Sequence, residues 1–306
     1  MKRKVIEQGG KTLMVSLPIS WAKSCKIVKG DELEATPKGD KICFSAETVQ
    51  QSENLVEINL ENLSERAIRY IISGLHKAGA EGFKIKYETQ EKLNIVEDLI
   101  KNLFVGFAVV DHSQESVIIK PISQEQLSEF DVALRRAFLV TLSMGESLIQ
   151  ALKEGSFDEL KNLLSLERTN NQLTNFCERL INMNPTYLPE KRSFLYVICW
   201  NLEKVADCFK YVCNYLSENQ RIEKRVIKMI QDVNDFLRGY YELYYKFDLI
   251  KLSELNDKKK EIEKEIFSVH DYEKVRFYLA NAVYSIVEFS ASMTAVKFAG
   301  SQPELL

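Results

Sequence analysis

The chain has 306 residues, of which 45% are hydrophobic and 28% are charged, a composition that is normal for globular proteins. This length is too great for one ordinary domain, so two or three domains are expected. Glycine (12 residues) and proline (6 residues) are scarce. Because both residues break helices, their scarcity is typical of chains that carry long helices.

The sequence predicts a cytoplasmic protein without membrane insertion. The basic start, Met1-Lys2-Arg3-Lys4, is followed by no apolar stretch of the kind that a signal peptide needs. No segment reaches the roughly 18–20 apolar residues of a membrane span. The six cysteines form no Cys-x-x-Cys pair and are interpreted as reduced thiols.

The net charge of −3 is unevenly spread along the chain. Residues 1–46 carry nine basic and five acidic side chains, a balance of +4, which leaves −7 for residues 47–306. A basic head on an acidic body indicates a polyanionic partner for the head.

Residues 1–46, called the head below, are predicted to form short strands around one short helix. Glycine and proline residues mark the turns between them. The predicted elements are a strand at Lys4–Ile6, a turn at Gly9-Gly10, a strand at Thr12–Leu17 stopped by Pro18, a helix from Ile19 to Cys25, a turn at Lys29–Asp31, and a hairpin of Leu33–Thr36 and Lys41–Phe44 with its turn at Pro37–Asp40. Some 46 residues bury little core alone, so we expect the head to dimerise or to lean on the rest of the chain.

Residues 54–122 follow a polar linker and alternate in type. Their pattern, βαβαββ, predicts a small α/β domain with helices packed on a sheet. Ser64 is the predicted N-cap of its first helix.

From residue 128 onward the sequence is helical. Six segments place apolar residues at i, i+3, i+4 and i+7, over about 128–154, 157–184, 187–217, 222–246, 249–269 and 271–298. A weak repeat relates Glu154–Asp158 to Lys246-Phe247-Asp248. The region 128–298 is therefore predicted to hold two three-helix units packed together.

Residues 4–44 resemble the SpoVT/AbrB family of swapped-hairpin DNA-binding modules. The similarity follows the order and spacing of Lys4-Val5-Ile6, Gly9-Gly10-Lys11, Val15–Pro18, Trp21-Ala22-Lys23, Lys29–Leu33 and a closing strand at Lys41–Phe44. This resemblance implies a homodimer that binds DNA.

Residues 128–298 resemble the PhoU family of phosphate-uptake regulators, which consist of two three-helix repeats. The family's Glu-x-x-x-Asp motif, which binds metal ions in several members, is matched by Glu203 and Asp207. An AbrB-like head on a PhoU-like body is typical of archaeal phosphate regulators, and residues 54–122 look like the spacer domain of such proteins.

Glu203 and Asp207 are the principal metal candidates. Residues four apart stand on one face of a helix, and two carboxylates there repel each other unless a cation or a basic partner lies between them. Carboxylate oxygens suit Mg²⁺, Ca²⁺, Mn²⁺ or iron, and no organic cofactor is expected. The alternative is a solvated helix face with salt bridges to lysines such as Lys204 or Lys210.

Four acidic residues are weaker metal candidates. The second-repeat motif would end at Glu288, but Tyr284 stands where the family has glutamate, and Glu167 is followed four residues later by Asn171 where a carboxylate is common. Asp257 and Glu261 form another i, i+4 pair, beside three consecutive lysines that favour an exposed surface. The metal sites are therefore expected to be partial, or absent on one side.

The basic residues of the head are the DNA-binding candidates. On a two-fold symmetric β surface, such side chains neutralise phosphates. The set is Arg3, Lys4, Lys11, Lys23 and Lys26. Arginine makes the best bidentate contact with guanine, and Arg3 is the head's only arginine, so sharp base specificity is not expected. The alternative is a solvated basic surface on a dimerisation domain.

No catalytic constellation is visible, so an enzyme is not predicted. The three histidines have no metal-ligand spacing, and the chain has no Gly-rich phosphate loop and no nucleophile motif. The aromatic run Tyr240–Phe247 is interpreted mainly as helix packing, with partner docking as the alternative.

Two hypotheses remain. The first is a transcription regulator that binds DNA through the head and senses phosphate status through the helices. The second is an adaptor that binds a phosphate-transport ATPase or a sensor protein through the helices, with the head used only for dimerisation.

Overall fold

The computed structural model describes residues 2–10, 12–38, 41–46, 55–123, 126–184 and 189–299. The chain divides into two compact units, residues 1–54 and residues 55–306. Each unit is described by itself below.

The first unit consists of two antiparallel hairpins and a short helix, in the predicted order. Its elements are β1 (Val5–Gln8), β2 (Thr12–Val15), α1 (Ile19–Ser24), β3 (Leu33–Lys38) and β4 (Lys41–Ala46). One boundary differs, because β3 runs through Pro37, which pairs in register with Ile42, whereas Pro37 was predicted to start the turn. A strand of a two-stranded sheet has a free edge, and proline is tolerated there.

None of the described side chains in the first unit is buried. Its apolar residues include six with more than half of their surface exposed, namely Val5, Ile6, Leu13, Ile19, Val28 and Ile42. Since isolated two-stranded hairpins are marginally stable in water, this unit needs another apolar surface to cover these residues.

The second unit begins with a four-stranded sheet and two helices. These are β5 (Val56–Asn59), α2 (Glu65–Lys77), β6 (Phe83–Lys86), α3 (Gln90–Leu103), β7 (Phe107–His112) and β8 (Ser116–Pro121). The strand order is β5-β6-β8-β7, with β5 and β6 parallel and the other pairs antiparallel. The predicted βαβαββ order is confirmed, and the Ser64 side chain caps α2 by accepting a hydrogen bond from Ala67 N.

Seven α-helices follow in the described residues of this region. They are α4 (Phe130–Glu154), α5 (Leu164–Met183), α6 (Arg192–Glu218), α7 (Lys224–Tyr245), α8 (Leu249–Ser268), α9 (Glu273–Val287) and α10 (Phe289–Phe298). A short 3₁₀ helix at Phe157–Lys161 precedes α5, so the second predicted helix starts later than expected. Gly155 ends α4 in the left-handed region, at φ 72°, which explains the predicted break there.

The sixth predicted helix is divided in two at Glu288. Neither glycine nor proline lies near this point, and Glu288 keeps helical angles (φ −60°, ψ −19°). The aromatic ring of Phe289, which starts α10, is buried in edge-to-face contact with Phe138 and Tyr240. We attribute the division to this tertiary packing, which the sequence period does not reveal.

One continuous apolar core extends through the seven helices in the described part of the chain, from Phe130 to Met293. The two predicted three-helix units thus share a core. Packing accounts for most of the aromatic run: Tyr240 is buried against Phe236, and Tyr244 lies against Phe138, whereas Tyr245 is partly exposed.

Helices α4 and α7 approach closely at Gly145, and we expect Gly145→Ala to lower the free energy of unfolding by about 1–3 kcal/mol. A Cβ at this position would lie 2.3 Å from Oδ1 of Asn234, a buried side chain that donates to the Leu142 carbonyl. The matched control is Gly74→Ala on α2, where a Cβ would meet no atom within 4 Å. Because alanine favours helices, this control should gain up to about 1 kcal/mol in urea denaturation. Equal effects of the two substitutions would contradict the close approach.

Candidate functional site

Seven side chains of alternating charge form a row that joins α2, α5 and α6. In order of contact they are Glu167, Lys210, Asp207, Lys204, Glu203, Lys77 and Glu178. We call this set the charged row. It contains both principal metal candidates, Glu203 and Asp207, and one weaker candidate, Glu167.

Each lysine of the charged row lies between two carboxylates. Lys210 Nζ is 2.7 Å from Glu167 Oε1 and 2.5 Å from Asp207 Oδ1. Lys204 Nζ is 3.4 Å from both Asp207 Oδ2 and Glu203 Oε1. Lys77 Nζ is 3.2 Å from Glu203 Oε2 and 2.8 Å from Glu178 Oε2.

Helical spacing explains why α6 supplies four members of the row. Residues 203, 207 and 210 stand at i, i+4 and i+7, which share one face of a helix, and Lys204 stands at the edge of that face, three residues before Asp207. The other side of α6 carries Leu202, Val205 and Phe209, which are fully buried in the core. The core therefore fixes the rotation of α6, and that rotation presents the charges to α5 and α2.

The row is most deeply buried where it reaches α2. The Glu178 side chain is 0% exposed and that of Lys77 is 15% exposed. Burial alone would lower the pKa of Lys77, but the carboxylates of Glu203 and Glu178 raise it above its ordinary value. Burial raises the pKa of Glu178, and Lys77 offsets this only in part. Glu178 thus depends on Lys77 for its charge to be tolerated.

The other two lysines also remain charged at neutral pH. Burial opposes the charge of Lys210, but its hydrogen bonds to Asp207 and Glu167 raise its pKa. Burial likewise opposes the charge of Lys204, and Glu203 and Asp207 raise its pKa. All three lysines of the row therefore carry their positive charge at physiological pH.

Aromatic rings support the ammonium groups from one side. The Trp200 ring lies 5.1 Å from Lys77 Nζ and 4.9 Å from Lys204 Nζ, and the Tyr211 ring lies 5.0 Å from Lys210 Nζ. Contacts of this kind stabilise a cation by roughly 0.5–2 kcal/mol, depending on its exposure. They favour the observed lysine positions over extended, solvated ones.

This arrangement does not fit a divalent metal ion, because the ion would need oxygens that the lysines already contact. Asn171 also donates to Glu167 Oε1, at 2.7 Å. Among the residues that the structure describes, no group of three His, Cys, Asp or Glu side chains could hold a metal ion. Metal binding by Glu203 and Asp207 stays a prediction, and the salt-bridged alternative is the arrangement observed.

The other weaker metal candidates lie apart from the charged row. Asp257 on α8 is exposed and pairs with Lys260 at 2.9 Å. Glu261, on the same helix, and Glu288, between α9 and α10, are also exposed. In the described part of the chain, no hydrogen bond or ion pair joins these three to the row.

Side chains of α5 hold the carboxyl end of α2. Arg179 Nη1 donates to the carbonyls of His76 and Ala80, both at 2.9 Å, and Asn182 Nδ2 donates to that of Lys77 at 2.7 Å. The last carbonyls of a helix lack partners within the helix and carry its negative dipole end, so a buried arginine there is favourable. The α/β region is thereby fixed to the helical region next to the charged row.

His76, at the same end of α2, is fully buried. Its ring stacks on Phe104 at a centroid distance of 4.0 Å, and neither ring nitrogen has a hydrogen-bond partner among the described residues. Burial, together with the positive charges of Arg179 and Lys77, lowers the pKa of His76 to about 3. The imidazole is therefore neutral at physiological pH.

Four of the five predicted DNA-binding residues are exposed in the first unit. Arg3, Lys4, Lys23 and Lys26 make no ion pair with any other described residue, and Lys26 adopts a left-handed conformation (φ 55°) just after α1. The fifth, Lys11, lies outside the described residues. No described acidic side chain occupies these four charges, so they are available to a polyanion.

Comparison with known proteins gives one structural match. No family model matches the chain, and no curated protein matches it. The phosphate transport system regulatory protein PhoU from Streptococcus pneumoniae is similar in structure, with 14% sequence identity, over 56% of this chain and 90% of that chain, at a TM-score of 0.40. At this TM-score the likeness assigns neither a fold nor a function to the chain.

Sequence reasoning missed the seam between α2 and α5. One signal was present: Glu178 and Arg179 are adjacent charges between Cys177 and Leu180, in an otherwise apolar stretch of helix. Charged residues are rarely fully buried unless they are paired, so this pair pointed to tertiary partners.

Within the described residues, no helix is both long enough and apolar enough to cross a membrane.

Proposed function

We propose that this protein is a cytoplasmic phosphate-uptake regulator that binds DNA through its head and responds to phosphate status through its helical region. The observation that carries the DNA-binding part is the exposed set Arg3, Lys4, Lys23 and Lys26, which pairs with no other described residue, on a unit with a formal charge of +4 in residues 1–46. The resemblance of residues 4–44 to swapped-hairpin modules and of 128–298 to phosphate regulators supports the assignment.

The head would act as a homodimer. Its two hairpins bury no described side chain, and a second copy offers the same apolar residues as a cover. A two-fold pair would also double the basic residues and present them with the symmetry of a DNA site that has two half-sites. The helical region has its own core and does not need this contact to fold.

We expect the full-length protein to bind DNA from upstream of a phosphate-transport operon of its own genome more tightly than scrambled DNA. Fluorescence anisotropy near 150 mM salt should give a sub-micromolar Kd, on the order found for specific complexes or somewhat weaker. The triple variant Lys4→Gln, Lys23→Gln, Lys26→Gln should bind weakly. Its dependence of log K on log salt should be shallower by about 1 for each lost phosphate contact.

The matched control removes three exposed lysines of the second unit, Lys153, Lys224 and Lys264, by the same change to Gln. This control has the same net charge as the first variant, so a difference in binding between the two depends on where the lysines lie. Equal binding by the two triple variants, or binding of both DNAs at the same weak level, would exclude DNA recognition by the head.

One observation favours the adaptor hypothesis as the second candidate. An exposed aromatic groove of about 600 Å³ lies between α8 and α9, lined by Phe267, Phe277, Tyr278 and Tyr284 among others. Phe277 is 61% exposed and Phe267 is 54% exposed. Aromatic residues are enriched at the centres of protein interfaces, so this groove is where a phosphate-transport ATPase or a sensor protein would dock if the head serves only for dimerisation.

A further inference from the structure

We propose that Lys77, Lys204 and Lys210 are the resident cations of the charged row, so that the row binds no divalent metal ion. Through its ion pairs, the row would also hold α2 of the α/β region against α5 and α6. This inference concerns the second unit alone and stands whether or not the head binds DNA.

The charge balance of the row supports this reading. Four carboxylates face three ammonium groups, which leaves one negative charge in a half-buried site. A divalent ion added among them would make the site net positive and would stand beside ammonium groups bound to the same oxygens. Like charges at such distances repel strongly where water is scarce.

The lysines differ in how readily they could leave. Lys204 is 37% exposed and can turn toward solvent, whereas Lys77 is enclosed by Glu178, Glu203 and Trp200. Moving Lys77 would leave the fully buried carboxylate of Glu178 without the ammonium group that it contacts. A metal ion at Glu203 would therefore have to displace a cation that the fold holds in place.

The oxygen ligands are also too few. Lys210 Nζ donates to both Glu167 and Asp207. Asn171 is an amide and not a second carboxylate, and its N–H donates to Glu167. Divalent Mg²⁺, Mn²⁺ and Ca²⁺ need about six ligands, mostly oxygens. Six of the eight carboxylate oxygens of the row contact a lysine, which leaves Glu167 Oε2 and Glu178 Oε1, at opposite ends of the row.

The decisive change is Lys210→Met, which keeps the aliphatic stem and releases two carboxylates. We expect Mn²⁺ binding, measured on the full chain by electron paramagnetic resonance of the free ion, to be about tenfold or more tighter in this variant than in the unaltered protein. The control is Lys260→Met, which breaks the exposed pair with Asp257 on α8 and should leave Mn²⁺ binding unchanged.

A second variant allows the proposal to be tested even if Lys210→Met does not fold. Lys204→Met releases Glu203 and Asp207 at the most exposed lysine of the row, and circular dichroism reports whether either variant is folded. Two results would overturn the proposal. One is micromolar Mn²⁺ binding by the unaltered protein that Asp207→Asn abolishes, and the other is that folded Lys210→Met and Lys204→Met bind Mn²⁺ no better than Lys260→Met.

Discussion

Replacing Lys77 with methionine is expected to lower the free energy of unfolding by about 3–5 kcal/mol, the usual cost of leaving one partner of a buried ion pair alone. Lys77 is the cation that contacts both Glu178 and Glu203, at 2.8 and 3.2 Å. Without it, the fully buried carboxyl of Glu178 must either keep an uncompensated charge or take up a proton. Urea denaturation followed by circular dichroism at neutral pH measures the loss.

Two further variants show whether the loss comes from the stranded charge. The double change Lys77→Met, Glu178→Leu should recover a large part of the stability, because apolar residues of similar size commonly replace a buried pair at little cost. Lys84→Met removes an exposed partner of Glu57 and should cost no more than about 1 kcal/mol. If Lys77→Met costs as little as Lys84→Met, the burial of this end of the row is wrong.

The second large effect is an acid-dependent loss of stability caused by His76. Its pKa is about 3 in the folded protein and 6.5 ordinarily. Below pH 6.5 the unfolded chain therefore binds a proton that the folded chain does not, and stability falls as the pH is lowered toward 3. The fall amounts to about 2 kcal/mol between pH 7.5 and 5, and to about 5 kcal/mol at most.

His76→Leu should remove this pH dependence. The imidazole nitrogens have no hydrogen-bond partner in the part of the chain that the structure describes, so an apolar side chain at this position should leave stability at pH 7.5 within about 1 kcal/mol or raise it. His270→Gln is the control, because His270 is exposed. Urea midpoints at pH 5 and 7.5 should converge in His76→Leu alone, and an unchanged gap in that variant would show that His76 is not the titrating group.

Local signals predicted the elements well because their causes are local. Ser64 caps α2 and Gly155 ends α4 through hydrogen bonds and backbone angles that involve only neighbouring residues. The apolar period placed all six helical segments for the same reason. The division at Glu288 was missed because it depends on where Phe289 packs, against residues more than 48 positions away in sequence.

The candidate site shows the same distinction. The lysine-paired alternative for Glu203 and Asp207 could be predicted, since Lys204 and Lys210 lie one to three residues away on the same helix face. The contribution of Lys77 could not, because it reaches the row from α2, across 126 residues of sequence to Glu203. Periodicity indicates which side chains share a face, and it leaves open which other element that face meets.

Because no described side chain of the first unit is buried, the folded fraction of this unit should depend on concentration. A segment that gains its core only from a covering surface is stabilised by mass action, so its folded fraction rises with the concentration of whatever supplies that surface. The second unit buries two apolar cores of its own, so its folding should not require a covering surface from outside. The folded fraction of the head would thus change with the abundance of the protein in the cell, while that of the second unit would not. Any activity of the head would then vary more steeply than the amount of protein.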